Sequence, residues 1–253
     1  MTKVVAVCGK GGVGKTTLAA LIIANLRAQG QKPILAVDAD PNANLAPALG
    51  LTVPETVGQV LEEFHGKKLD IPPGMSKQAF LELRLNQALV ESRGIDLLVM
   101  GRPEGPGCYC SANAVLRDTL ERLSENYSRV VIDNEAGMEH LSRRTDHKID
   151  VLLMVSDPSM KGLRTVSDLF QLVMELKLPV SKKFLVVSRA RELDPRLVEA
   201  VKALPVPLLG LVPDDPLVTE YDLAQKPFLD LPEDSPACKA AAQMLSSLFN
   251  GPE

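Results

Sequence analysis

Residues 4–17 read Val-Val-Ala-Val-Cys-Gly-Lys-Gly-Gly-Val-Gly-Lys-Thr-Thr, a short apolar run that breaks into glycines and ends on Lys-Thr-Thr. An apolar run of this length bounded by glycine reads as a buried strand, and the residues from Lys15 onward carry the spacing of a helix. Between them, Gly9, Gly14, Lys15 and Thr16 satisfy the phosphate-loop pattern of glycine, any four residues, then Gly-Lys-Ser/Thr. A triphosphate needs backbone N–H groups turned toward it, and Gly9, Gly11, Gly12 and Gly14 keep side chains out of the way. The helix that follows adds unpaired N–H groups and the positive end of its dipole. In that frame Lys15 reaches the β- and γ-phosphates and the Thr16 hydroxyl binds Mg²⁺. The whole stretch from Gly9 to Thr17, with Val13 and Thr17 included, is the candidate nucleotide contact. Lys10 is a second lysine, placed directly after the first glycine.

Working outward, apolar runs alternate with helical patterns along the chain, the signature of a doubly wound α/β fold with a mostly parallel sheet. Strands are expected at 3–8, 33–38, 96–100, 129–133, 151–156, 183–188 and 208–212, and helices at 15–29, 77–92, 112–126, 162–176, 195–203 and 235–249. Residues near 51–76 are rich in proline and glycine around a short helix, and read as a surface insertion on a single domain spanning 1–253. In such sheets ligands lie beyond the carboxyl ends of the strands. Two carboxylate strings fall there. Val37-Asp38-Ala39-Asp40-Pro41-Asn42 closes the second strand, and Val130-Val131-Ile132-Asp133-Asn134-Glu135-Ala136-Gly137 closes the fourth. Asp38 either supports Mg²⁺ through a water or organises its loop, and Asp133 suits a water-mediated Mg²⁺ ligand. Gly137 lets a backbone N–H approach the γ-phosphate. The Val212-Pro213-Asp214-Asp215 turn is placed to line a base pocket through backbone atoms, Pro213 among them.

The 253 residues are 45% hydrophobic, enough for one large core, and carry a net charge of −4, which argues against a nucleic-acid footprint. No apolar stretch approaches the roughly 20 residues of a membrane span. The chain enters its first strand almost at once, so no signal peptide is expected. Four cysteines do not make a secreted disulfide framework, and a reducing cytoplasm is the expected compartment. Cys108 and Cys110 form a C-x-C inside Gly101-Arg-Pro-Glu-Gly-Pro-Gly-Cys-Tyr-Cys-Ser-Ala-Asn113, just past the strand ending at Met100. Thiols at a helix start ionise more readily and bind soft metals. Two thiolates are half of a closed four-ligand site, and a two-fold axis beside the loop supplies the rest. Buried structural thiols and a redox-active pair are the other readings. Cys8 reads as a small apolar residue under the loop and Cys238 as a lone helical thiol. His65, His140 and His147 show no ligand spacing.

The Gly-Lys-Gly-Gly-Val-Gly-Lys-Thr-Thr string resembles the deviant phosphate-loop ATPases, which include partition and division-site ATPases and nitrogenase iron protein. The resemblance implies that Lys10 reaches across a homodimer to the partner's nucleotide, and that Asp40 orients the attacking water. It also matches Asp133 to Gly137 with the second switch, D-x-x-A-G. ATP rather than GTP follows from the resemblance, and no Asn-Lys-x-Asp string is present. Two departures stand out. Asn44 replaces a switch aspartate found in nitrogenase iron protein, and Ser188-Arg189 stands where the class often carries an adenine-reading Asn. With the cysteine loop added, the chain resembles the CooC/AcsF family, ATPases that mature carbon monoxide dehydrogenase and acetyl-CoA synthase. That implies Ni²⁺ or Zn²⁺ on Cys108 and Cys110 at the dimer interface, with ATP binding and hydrolysis to ADP driving nickel delivery to one of those clients. Two further readings stay open: an electron-transfer ATPase with a bridging iron–sulfur cluster, and a positioning ATPase that binds DNA or membrane.

Overall fold

The computed structural model describes residues 2–66, 71–101, 121–135 and 148–249. Among them, strands β1 (Lys3–Gly9), β2 (Ile34–Ala39), β3 (Val90–Glu91), β4 (Ile95–Val99), β5 (Arg129–Asn134), β6 (Ile149–Ser156), β7 (Val180–Ser188) and β8 (Leu208–Val212) form one sheet in the order β3-β4-β2-β5-β1-β6-β7-β8. Every neighbouring pair is parallel except β3 with β4. Helices α1 (Lys15–Ala28), α2 (Leu45–Ala48), α3 (Val57–Gly66), α4 (Lys77–Gln87), α5 (Met160–Glu175), α6 (Pro195–Lys202), α7 (Pro216–Leu223) and α8 (Pro236–Phe249) surround it, and residues 121–125 are helical.

The strands are apolar through their central stretches because both faces of the sheet are covered. Val5 and Val7 of β1 pack with Leu18, Ile22 and Leu26 of α1 and Ala241 of α8. Ala6 and Cys8 face the other way, toward Val57 and Leu61 of α3, Leu81 of α4 and Leu163 of α5. The helix within the 51–76 region therefore contributes its apolar side to the core. Cys8 and Cys238 are both buried free thiols.

Two expectations are corrected. The helix expected at 77–92 stops at Gln87, because Val90 and Glu91 pair antiparallel with Leu97 and Asp96 across a turn at Gly94, whose φ of 85° suits glycine. The Asp214-Asp215 turn leads into a further helix, α7. Asp215 caps it by accepting from the Leu217 N–H at 3.0 Å, and Pro216 opens it.

What positions the site is the sheet register. Asp38 on β2 lies directly opposite Asp133 on β5, and Asp133 lies opposite Val7 on β1. Both carboxylates and the start of the glycine loop thus share one edge.

Candidate functional site

The loop after β1 is shaped as the phosphate pattern requires. Gly9, Gly12 and Gly14 have φ of 153°, 77° and 87°, and Gly14 hands the chain to α1. Gly9 is fixed by crowding as well: a Cβ there would lie 2.3 Å from the Val155 carbonyl oxygen on β6. A Cβ on Gly11 would meet nothing within 4 Å. Gly9→Ala must push two central strands apart. We expect it to lower stability by about 2–3 kcal/mol and to abolish nucleotide binding, whereas Gly11→Ala keeps the fold, as thermal unfolding of the two variants will test.

Lys15 is buried at the helix start, and its ammonium donates back to the Lys10 carbonyl at 3.4 Å. The Thr16 hydroxyl donates to Asp133 Oδ2 at 2.5 Å. Asp133 is fully buried, and its Oδ1 has no hydrogen-bond partner. Burial pushes its pKa up from 3.8 to about 7, with the Thr16 hydrogen bond opposing and Asp38 reinforcing the shift. Asp38 is also raised, to about 6, again chiefly by burial. It accepts from the Asp40 N–H at 3.1 Å and the Leu45 N–H at 2.8 Å, so it folds residues 38–45 into a compact turn. Asp38 thus organises its loop and lies beside Asp133 as well. Asp40 accepts from both the backbone and side-chain N–H groups of Asn42 at 2.9 Å.

A hydroxyl, a buried carboxylate oxygen with no donor and a second buried carboxylate are the donor set that a hard divalent cation takes. Thr16, Asp133 and Asp38 therefore fit Mg²⁺.

Two adjoining cavities open at this edge. One, of about 760 Å³, is lined by Gly11, Gly12, Lys15, Thr16, Asp40 and Asn42 on the loop side and by Tyr221 and Lys226 opposite. The other, of about 230 Å³, has apolar side chains, among them Leu18, Val186, Val212 and Val218, on part of its wall and Asp214, Asp215, Thr219 and Asp222 on the rest. A roomy cradle on the glycine loop beside a narrower, partly apolar slot suits a nucleotide, with phosphates on the loop and the base in the slot. Thr17 lines both cavities and Pro213 the smaller one. Val13 is buried beneath the loop. Lys10 is half-buried on the loop. Gly137, Cys108 and Cys110 lie outside the described residues. Among the described residues, no three or more His, Cys, Asp or Glu side chains gather as a metal site.

Three contributors escaped the sequence reading. The Ser188 hydroxyl lies 2.7 Å from the Val13 carbonyl oxygen and Arg189 Nη2 donates to the Gly12 carbonyl at 2.7 Å, so the end of β7 grips the loop. Asn134, fully buried, donates from Nδ2 to the Val7 carbonyl at 3.0 Å and adds a side-chain rung where the β1–β5 ladder ends. Only Ser188 and Arg189 carried a signal, by standing where a base-reading Asn was expected.

Comparison with known proteins gives a consistent answer. The family description "CobQ/CobB/MinD/ParA nucleotide binding domain" matches residues 4–228. An uncharacterized ATP-binding protein of Methanocaldococcus jannaschii is 41% identical over 98% of both chains. The carbon monoxide dehydrogenase accessory protein CooC of Rhodospirillum rubrum is 32% identical over 95% of this chain and 94% of its own. Among solved structures, the septum site-determining protein MinD of Pyrococcus horikoshii, complexed with Mg-ADP, superposes with a TM-score of 0.71 at 21% identity over 98% of this chain and 96% of that one.

Proposed function

The chain belongs to the CobQ/CobB/MinD/ParA nucleotide-binding family, as an ATPase, and we propose that it works as a homodimer that delivers nickel to carbon monoxide dehydrogenase or acetyl-CoA synthase. The observation that carries this reading is the Cys108-Tyr109-Cys110 string, in a chain that matches a carbon monoxide dehydrogenase accessory protein along nearly its whole length. The point from which the chain leaves the sheet ahead of the string supports it. The Met100 N–H donates to the Asp38 carbonyl at 2.8 Å, so the chain sets out toward the cysteines from beside the nucleotide edge.

In this reading ATP occupies the two cavities, phosphates over Gly9–Thr17 and base against Pro213. Bound Mg²⁺ would draw charge off the β- and γ-phosphates. Lys15 neutralises the same oxygens from its own chain, and Lys10 does so from across the dimer. Asp40, whose carboxylate is pinned by Asn42, orients the attacking water. Gly137 offers its N–H to the γ-phosphate. As the loops after β2 and β5 close on the triphosphate, the two chains draw together. The paired thiolates of Cys108 and Cys110 then hold one Ni²⁺, or Zn²⁺, between them as cargo, so nucleotide state and metal affinity become linked. The compartment is a reducing cytoplasm. No helix among the described residues is long and apolar enough to cross a membrane.

Elemental analysis after size-exclusion chromatography, with and without ATP, tests this directly. Wild type should carry about one nickel per two chains, and Cys108→Ala/Cys110→Ala none, with its ATPase activity retained. Stoichiometric nickel in the double variant, or nickel content and dimer fraction both indifferent to nucleotide, would overturn the assignment.

A further inference from the structure

We propose that Arg189 is a positioning residue for the triphosphate: together with Ser188 it aims the loop's N–H groups, instead of reading the base as an Asn at this place would. The inference rests on the ATPase reading of the loop and is independent of nickel. Two consecutive residues at the end of β7 engage two consecutive carbonyls of the loop, Arg189 at Gly12 and Ser188 at Val13, both at 2.7 Å. A trans peptide is planar, and its C=O and N–H point in opposite directions. Holding the Gly12 carbonyl toward β7 therefore turns the Val13 N–H away from β7, and holding the Val13 carbonyl does the same for the Gly14 N–H. Those are two of the donors a phosphate cradle needs.

The backbone is bent to make this contact. Arg189 has φ of 54°, a left-handed conformation that costs a non-glycine residue on the order of 1 kcal/mol. The turn is fixed on its far side, where the Ala190 N–H donates to the Val212 carbonyl at 3.0 Å. Arg189 also borders both cavities, so it sits where base and phosphates meet. One of its guanidinium donors, Nη2, is engaged with a carbonyl of the loop. The single proton of the Ser188 hydroxyl lies between the Val13 carbonyl at 2.7 Å and the Ser156 carbonyl at 3.2 Å, so it has no donor left for a base edge.

Arg189→Gly tests this cleanly, because glycine keeps the left-handed backbone and deletes only the side chain. Inorganic tripolyphosphate, adenosine and ATP would each be titrated by calorimetry, in the presence of Mg²⁺, against wild type, Arg189→Gly and Arg189→Lys. Arg189→Gly should weaken tripolyphosphate and ATP by the same factor, about five- to tenfold, and leave adenosine unchanged. Arg189→Lys, which keeps a donor, should recover part of that loss. Unchanged tripolyphosphate affinity in Arg189→Gly overturns the proposal, as does a loss confined to adenosine and ATP, which would make Arg189 a base reader. If wild type binds neither ATP nor tripolyphosphate, the nucleotide reading of the loop itself is wrong. A thermal midpoint for Arg189→Gly at or above that of wild type shows that the lost affinity is not lost folding.

Discussion

Lys15→Ala lowers kcat/KM for ATP by about a thousandfold and leaves the fold intact. The ammonium is buried at the first turn of α1, near the Asp133 carboxylate at the end of β5, where a charge is screened far less than at the surface. Its hydrogen bond, 3.4 Å to the Lys10 carbonyl, is long, so little native stability goes with it. Lys10→Ala should be as inactive for a different reason: its site is on the other subunit. The two dead variants then complement each other. In an equal mixture half the dimers are hybrids, and each hybrid has one site with Lys15 from the Lys10→Ala chain and Lys10 from the Lys15→Ala chain. About a quarter of wild-type activity should return. Steady-state phosphate release from the mixture measures it, and a mixture as inactive as its components would place Lys10 in cis.

Asp133→Asn should abolish Mg²⁺-dependent hydrolysis and make the nucleotide-free protein more stable. Folding moves the Asp133 pKa from 3.8 to about 7, mainly by burial. Between those values the unfolded chain holds fewer protons than the native one, so this group's contribution to stability is full below about pH 4 and lost as pH rises through 7. At pH 8 the native protein keeps a buried negative charge with one oxygen unpartnered, at a cost of a few kcal/mol. Asparagine keeps an acceptor for the Thr16 hydroxyl and discards the charge. In chelator, its melting temperature should exceed that of wild type by roughly 5–10 °C at pH 8, with the gap closing toward pH 5. Equal melting temperatures at pH 8, or hydrolysis surviving in the variant, would refute the account. The same carboxylate that costs stability without a cation would give a cation its hold there.

The phosphate loop was legible because its parts are contiguous: glycines, lysine and hydroxyl lie within residues 9–17, and the physical requirement is local. The two aspartates were legible for a related reason. Each ends an apolar run, and a parallel sheet sends all such ends to one edge. What stayed hidden depends on distant pairings. Ser188 and Val13 are 175 positions apart, Arg189 and Gly12 are 177, and neither residue type announces that it will donate to a loop carbonyl. Strand β3 was lost inside a helical pattern because two residues, Val90 and Glu91, cannot show a period of their own. Helix α7 does carry a local signal, Asp215-Pro216, the cap-and-proline start of a helix.

The place of β1 in the sheet has a consequence for wear. Three neighbours shield it on either side, β4, β2 and β5 toward one margin and β6, β7 and β8 toward the other, with β3 beyond β4. Heat or protease that peels strands works inward from a margin, so the strand that carries the glycines is among the last to let go.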